Sequence, residues 1–273
     1  MSGFCLTVTR PPRQRLDLSP LVPEHLAGMT PAAIAAIPLA CGNRRLRVDE
    51  VFEVAPAESD ALLIRNRGAR LDFLGSGMTG GELVLEGDAG AYAGLAMSGG
   101  RLTIRGQAGP FAGAAMQGGT LEIGGNAGDW LGGGLPGERR GMTGGLILLR
   151  GDAGRRAADR QRRGVILIEG NAGDFLGARM VAGTTIVLGA AVGRYPGFAM
   201  KRGTLLLRHG AGQMLPTFAD AGLQELGFLR LLAKYLAPHS AKFAAAAPHF
   251  AALRRFVGDA ASGGKGEILA AGD

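Results

Sequence analysis

The chain has 273 residues, of which 48 are glycine and 13 are proline, and only 5% are aromatic. Collagen needs glycine at every third position and far more proline, and frequent Leu, Ile and Val argue against disorder. The formal net charge of +7 is local, because positions 139–208 carry 13 bases and 4 acids. These numbers predict a folded repeat protein with one strongly basic region.

The first 61 residues predict a small α/β cap. A helix is expected over positions 30–37, because Thr30 followed by Pro31 is a typical helix start. Positions 44–54 alternate as a strand does. Cys5 and Cys41 lack CxxC spacing and neighbouring histidines, so we expect free or buried thiols in a reducing compartment.

No targeting or membrane segment is apparent in the sequence. The N-terminus has neither the charged leader nor the apolar run of a signal peptide. No stretch reaches the ~18 apolar residues of a membrane span. We expect a cytoplasmic protein.

From Met78 the chain repeats the pattern Met-x-x-Gly-x-Leu-x-Leu-x-Gly-x-Ala-Gly-x-x-x-Gly. The glycine before each short apolar segment recurs at spacings of 19, 19, 26, 19, 19 and 20 residues. Period-two alternation within each segment predicts one short strand per repeat, whose apolar face is buried only when repeats stack. Glycine at each corner permits a positive φ.

We therefore predict an all-β core formed by a right-handed parallel β-helix of about seven coils, with ~19 residues in each. The β-helix is expected at 62–208, between the cap at 1–61 and a C-terminal helical segment and tail at 209–273. The glycine offsets lack the six-residue sub-period of left-handed hexapeptide helices.

Two further columns predict packing ladders. The methionine ladder comprises Met78, Met97, Met116, Met142, Met180 and Met200. The aromatic ladder comprises Tyr92, Phe111, Trp130, Phe175 and Tyr195, and Arg156 interrupts it.

The outward strand positions change from polar in early repeats to apolar in late ones. The late apolar positions are Leu146, Leu148, Val165, Leu167, Ile186 and Leu206. Such a face must be covered, either by the C-terminal helices or by another protein chain. Helices are predicted over 223–236 and 240–257, the second interrupted at Pro248, and 262–266 is expected to be a tail.

Eight bases align at one corner of four successive repeats, and we call this set the basic column. It comprises Arg139, Arg140, Arg160, Arg162, Arg163, Arg179, Lys201 and Arg202. Like charges stacked at ~4.8 Å repel, so the column favours binding of a polyanion. The alternatives are solvated side chains or pairing with acids of a neighbour. Nucleic acid is disfavoured because exposed aromatics are not interleaved with the bases.

No catalytic or metal-binding constellation is recognisable. The four histidines are scattered outside the repeat, and there is no CxxC, HxH or nucleophile-elbow motif. We therefore predict no catalytic and no metal-binding residues.

The repeat is flanked by Gly42-Asn43 and Val-Asp-Glu-Val-Phe at 48–52 before it, and by Leu-Pro-Thr-Phe at 215–218 after it. With these flanks the sequence resembles the C subunits of formylmethanofuran dehydrogenase and of its bacterial counterpart, the formyltransferase/hydrolase complex. The stretch Gly-Asp-Ala-Gly-Ala-Tyr-Ala-Gly at 87–94 is also similar to the C-terminal domain of glutamate synthase.

The resemblance implies a non-catalytic β-helical subunit that partners other subunits of a hetero-oligomeric complex. Such complexes move a formyl group between tetrahydromethanopterin and a methanofuran-type cofactor. From the residues themselves, we expect neither a nucleic acid nor a membrane as a partner. The resemblance implies no covalently bound cofactor, and it makes the cofactor's glutamate-rich tail a sensible ligand for the basic column. Arginine and alanine usage favours the bacterial complex. The alternative is a scaffold module like that of glutamate synthase.

Overall fold

The computed structural model describes residues 3–57 and 59–271, and within them strands form one sheet of 13 strands and one of 4. In chain order the strands are β1 (Phe4–Val8), β2 (Leu16–Asp17), β3 (Pro38–Cys41), β4 (Arg44–Arg47), β5 (Phe52–Pro56), β6 (Leu62–Arg65), β7 (Leu71–Asp72), β8 (Glu82–Glu86), β9 (Arg101–Ile104), β10 (Thr120–Ile123), β11 (Leu146–Leu149), β12 (Val165–Ile168), β13 (Thr184–Val187), β14 (Arg202–Leu207), β15 (Ala219–Gln224), β16 (Leu253–Gly258) and β17 (Lys265–Ala270). The helices are α1 (Pro23–Leu26), α2 (Pro31–Ala35), α3 (Val48–Val51), α4 (Phe228–Leu236) and α5 (Ala241–Ala246), with 3₁₀ turns at Ala247–Phe250 and Ala260–Ser262.

Each repeat contributes one strand to the large sheet, in the order predicted. The strands β6 and β8 to β14 pair in parallel, each with the strand of the next repeat. A second line of parallel bridges runs through one small residue per repeat: Ala89, Ala108, Ala127, Ala153, Ala172 and Val192. The sheet is mixed, because antiparallel strands join at both of its ends. The expected all-β core is confirmed.

The corners need glycine because successive repeats approach closely there. Gly119 has φ +77°, and a Cβ on it would lie 2.7 Å from the carbonyl oxygen of Gly100. Neighbouring corners are held by carboxylate and amide side chains that accept backbone N–H groups of the next repeat. Asn171 N, for example, donates to Asp152 Oδ1 at 2.6 Å. Each turn is therefore stacked on the equivalent turn before it.

The interior contains the ladders of aliphatic side chains expected from the alternation. The six ladder methionines are fully buried, as predicted for a packing role. Gln161 occupies the methionine position of one repeat and Thr185 an aliphatic position of the next, and both are fully buried. The two side chains form a hydrogen bond with each other, in which Thr185 Oγ1 donates to Gln161 Oε1 at 2.7 Å.

The N-terminal region differs from the prediction in two places. The helix begins as expected, with Thr30 Oγ1 accepting from Ala33 N at 3.3 Å, but it ends at Ala35. Positions 44–54 are two strands separated by α3, because Glu50 Oε1 accepts from Arg47 N at 2.9 Å and begins a single helical turn. Both cysteines are buried and free, as expected.

The late apolar face is covered by the chain's own C-terminal helices, which settles the alternative that the sequence left open. Leu148, Leu167 and Ile186 pack in one cluster with Leu229 and Leu236 of α4. Phe243 of α5 and Phe250 complete that cluster. The cluster lies on the opposite side of the sheet from the main core and forms a second core.

The C-terminal elements require three corrections. The helix predicted over 240–257 ends at Ala246, and the chain continues as a 3₁₀ turn at Pro248 and then as β16. The expected tail is wrong, because β17 pairs in parallel with β14 and antiparallel with β16. The edge of β14 has unpaired backbone groups that β17 satisfies. The helix predicted over 223–236 begins only at Phe228, because positions 223 and 224 belong to β15.

Candidate functional site

The basic column lies in the turns that lead into strands β11 to β14 and at Arg202, the first residue of β14. Five of its eight members are exposed, whereas the other three are partly buried. The exposed members are Arg139, Arg140, Arg163, Lys201 and Arg202. The predicted corner therefore exists as a cationic surface, but its members are not equivalent.

Two of the partly buried arginines interact with the chain itself. Arg179 contacts both carboxylate oxygens of Asp159, from Nη2 at 2.7 and 2.9 Å. Arg160 lies 3.8 Å from the same carboxylate and also donates to the backbone oxygen of Glu138. The expectation that Arg179 is available to a ligand is thus corrected: the carboxylate that neutralises it lies on the preceding repeat, which linear spacing does not reveal.

Asp159 is a fully buried carboxylate surrounded by three guanidinium groups. Besides Arg160 and Arg179, Arg156 Nη1 lies 3.8 Å from it. Burial raises the pKa of Asp159, and the neighbouring arginines act in the opposite direction. With one carboxylate for three guanidiniums, the cluster keeps an excess of positive charge at the surface.

Arg156 also connects the aromatic ladder that it was expected to interrupt. Its guanidinium lies 5.1 Å from the ring centroid of Trp130 and 4.8 Å from that of Phe175. Cation–π contacts on both sides of the guanidinium therefore continue the stack. The rings of Tyr92 and Phe111 are stacked 5.2 Å apart, and the ladder side chains are only partly buried. The ladder is a packed outer edge of the molecule.

The structure adds one basic residue, Lys265, to this surface. Lys265 is exposed and is the register partner of Arg202 in the parallel pair β14–β17. A signal was present: Lys-Gly-Glu-Ile-Leu at 265–269 matches Arg-Gly-Thr-Leu-Leu at 202–206 in its alternation and its glycine. Interpreting 262–266 as a tail concealed this additional strand.

Arg162 carries an unsatisfied donor beside the exposed bases. Its Nε atom is buried and has no hydrogen-bond partner in the described part of the chain. Within the described residues, Arg160 and Arg179 are the only members of the basic column that form an ion pair. The remaining cations thus form a surface with a local excess of charge that can attract an anion.

Within residues 3–57 and 59–271, no group of three His, Cys, Asp or Glu side chains is arranged to hold a metal ion. No helix in the same residues is long and apolar enough to cross a lipid bilayer. In this part of the chain, the cationic surface at the repeat turns suggests binding of an anionic ligand.

No family model matches the chain. Several curated relatives match a segment of it, among them the following two. The C subunit of the formyltransferase/hydrolase complex Fhc from Methylorubrum extorquens is 41% identical over 77 residues, 28% of this chain and 29% of the relative. The C subunit of the tungsten-containing formylmethanofuran dehydrogenase 2 from Methanococcus maripaludis is 34% identical over 82 residues, 29% of this chain and 30% of the relative. The matched segments span less than a third of these relatives.

A structural comparison extends the similarity to nearly the whole chain. It matches a chain in the crystal structure of the formyltransferase/hydrolase complex FhcABCD from Methylorubrum extorquens in complex with methylofuran, with a TM-score of 0.91. The two chains are 38% identical, and the alignment covers 98% of this chain and 100% of the other. The chain therefore belongs to the family formed by the C subunits of the formyltransferase/hydrolase and formylmethanofuran dehydrogenase complexes.

Proposed function

We propose that the chain is a cytoplasmic, non-catalytic structural subunit of a formyltransferase/hydrolase complex that acts in one-carbon metabolism. The observation that carries the proposal is the match, over 98% of this chain, to a chain of the FhcABCD complex. A scaffolding role fits a stacked core whose described side chains include no cluster of metal-ligating residues. The catalytic groups then belong to the other subunits.

The proposal is tested by purifying the tagged chain from its native host. Three further subunits should co-purify with it, and the assembled complex should transfer and hydrolyse formyl groups. The chain purified alone should do neither. Turnover by the pure chain, or a native preparation without formyl-transfer subunits, would contradict the proposal. Co-purification with an amidotransferase would instead favour the glutamate synthase-like alternative.

We also propose that the repeats wind as a right-handed parallel β-helix of about seven coils, with the cap at 1–61 and the C-terminal elements from 209 onward as its two ends. Two lines of parallel pairing and stacked glycine corners support this winding. A crystal structure of the chain in its complex would test the hand.

The exposed bases are proposed to hold the glutamate-rich tail of a methanofuran-type cofactor. The positive charge of these side chains matches the carboxylates of such a tail. The exposed bases are Arg139, Arg140, Arg163, Lys201 and Arg202, and Lys265 extends their surface. Arg162 Nε supplies an unsatisfied buried donor at the same place. Guanidinium groups bind carboxylates in bidentate geometry. Repeated carboxylates along a flexible tail would contact several of these side chains at once.

A titration of the assembled complex tests tail binding. The variant Arg163→Ala, Arg202→Ala, Lys265→Ala should bind the tailed cofactor about tenfold to hundredfold more weakly, because each exposed contact contributes up to ~1 kcal/mol. Its affinity for a tailless analogue should not change. Raising the salt concentration should weaken wild-type binding of the tailed form, because exposed charges are screened over ~10 Å at 0.1 M.

The matched control replaces three exposed bases outside this surface, Arg67→Ala, Arg70→Ala and Arg101→Ala. It should leave both affinities unchanged. Equal loss for the tailed and tailless ligands, or no loss for either, would show that the exposed bases do not bind the tail.

A further inference from the structure

A short segment after the repeats concentrates the apolar side chains that remain exposed. Among the described residues five large hydrophobic side chains are exposed, and four of them fall within positions 223–235. These four are Leu223 at 69%, Phe228 at 41%, Leu231 at 72% and Tyr235 at 50%. Scattered exposed hydrophobics are ordinary, whereas a contiguous group marks an interaction surface.

Three of these side chains form one stripe on α4. Positions 228, 231 and 235 lie on the same side of a helix with 3.6 residues per turn. We call Phe228, Leu231 and Tyr235 the outer stripe. A different side of the helix, carrying Leu229 and Leu236, packs into the second core. Packing within the chain therefore explains the inner face of α4 but leaves the outer stripe uncovered.

The charges on α4 are all positive. Arg230 and Lys234 are exposed and border the outer stripe, and the helix Phe228–Leu236 contains no acidic residue. A surface that covers the stripe would also approach these two cations. Opposite charge at the rim of an apolar contact favours association and excludes wrong partners. The exposed Glu225 precedes the helix, and Asp220 of the preceding strand is already paired with Arg254. The two cations on α4 itself favour a partner surface with apolar side chains and acidic neighbours.

The strand before α4 is also uncovered on one edge. β15 is the outermost strand of the large sheet at its C-terminal end and, among the described strands, pairs only with β16. Five of its six residues are exposed. An edge strand with unpaired backbone groups is a site at which another chain can add. Three residues lie between the end of β15 at Gln224 and the start of α4 at Phe228, so the exposed strand edge and the outer stripe are neighbours along the chain.

We infer that β15 and the outer stripe of α4 dock an acidic, apolar surface of another subunit of the formyl-transfer complex. This inference rests on the proposed function, because it requires that the chain assembles with other subunits. It assigns the contact to α4 and to the edge strand β15, neither of which contributes a residue to the basic column. Leu231 and Tyr235 are expected to be its central anchors, since buried large side chains dominate binding at interfaces.

The test uses the tagged full chain, co-expressed with the other subunits of its native complex. Leu231→Glu combined with Tyr235→Glu should lower the amount of co-purified subunits by about tenfold or more. Arg230→Glu combined with Lys234→Glu should lower it as well, because the rim charges then repel an acidic partner. The control Arg67→Glu, at an exposed turn near the other end of the sheet, should have no effect. Thermal unfolding of each isolated variant should match the wild type.

The outcomes separate the inference from the proposed function. If the wild-type chain brings down no other subunit, both fail. If the wild type assembles and the Leu231→Glu, Tyr235→Glu variant assembles equally well, only the docking surface is wrong. If the wild-type chain alone forms a dimer that this variant dissolves, the surface binds a second copy and the inference is overturned.

Discussion

At the scale of single residues, Gln161 and Thr185 introduce a polar pair into an otherwise apolar core. Thr185→Val should destabilise the protein by about 1–3 kcal/mol, because it leaves the buried Oε1 of Gln161 without its donor. Adding Gln161→Met restores the ladder residue of the other repeats and removes the unsatisfied group. The double variant should therefore be more stable than Thr185→Val alone.

Urea unfolding of the wild type, both single variants and the double variant measures this coupling as a double-mutant cycle. Strictly additive free energies of unfolding would contradict the prediction. They would mean that the hydrogen bond between the two side chains contributes nothing to stability.

At the scale of elements, Arg150 connects the outer face of the strands to the turn before α5. It pairs with Glu122 at 2.6 Å and also with Glu169, and Nη2 donates to the backbone oxygen of His239 at 2.9 Å. Ser240 Oγ donates to Glu169 at 2.6 Å and caps α5 by accepting from Phe243 N. These contacts fix the helices that cover the second core.

Arg150→Met should reduce the free energy of unfolding by about 1.5–3 kcal/mol, because hydrogen bonds to charged groups are lost and the partner carboxylates remain partly buried. Arg105→Met is the matched control. Arg105 is 66% exposed and pairs with Glu86 at 3.1 Å, so its loss should cost less than about 1 kcal/mol. Chemical unfolding measures both, and proteolysis between α4 and α5 should accelerate only for Arg150→Met. Equal effects would show that Arg150 does not fix the helices.

At the scale of the whole molecule, β17 belongs to both cores. Ile268 faces the main core and Leu269 faces the second core, and both are fully buried. Removing positions 265–273 should therefore produce aggregated protein, because both cores are opened and β14 and β16 lose their shared partner. Lys265→Ser, which changes only an exposed side chain of the same strand, should remain monodisperse. Size-exclusion chromatography distinguishes the two. A truncated chain that elutes and melts like the wild type would contradict this role.

The repeat, its strands and the need to cover the late apolar face could all be predicted from the amino-acid sequence. These features are local and periodic. Glycine at each corner and Leu or Ile at alternate positions can be recognised in the sequence without knowledge of any long-range contact. The late outward residues, such as Leu148 and Leu167, also indicated a buried second face. The cationic surface at the turns could be predicted by aligning the repeats, because equivalent residues in stacked repeats lie side by side.

Which cations pair with a carboxylate, and where the last strand lies, depend on contacts between distant parts of the chain. Arg179 meets the buried carboxylate of Asp159 across a repeat boundary, and Arg156 lies between the rings of Trp130 and Phe175. Neither contact is implied by residue type or spacing. The segment that forms β17 matches the start of β14, but its local sequence does not show that the chain returns to the large sheet there after α4, α5 and β16. It becomes a strand of that sheet because β14 and β16 each present an edge whose backbone groups it satisfies.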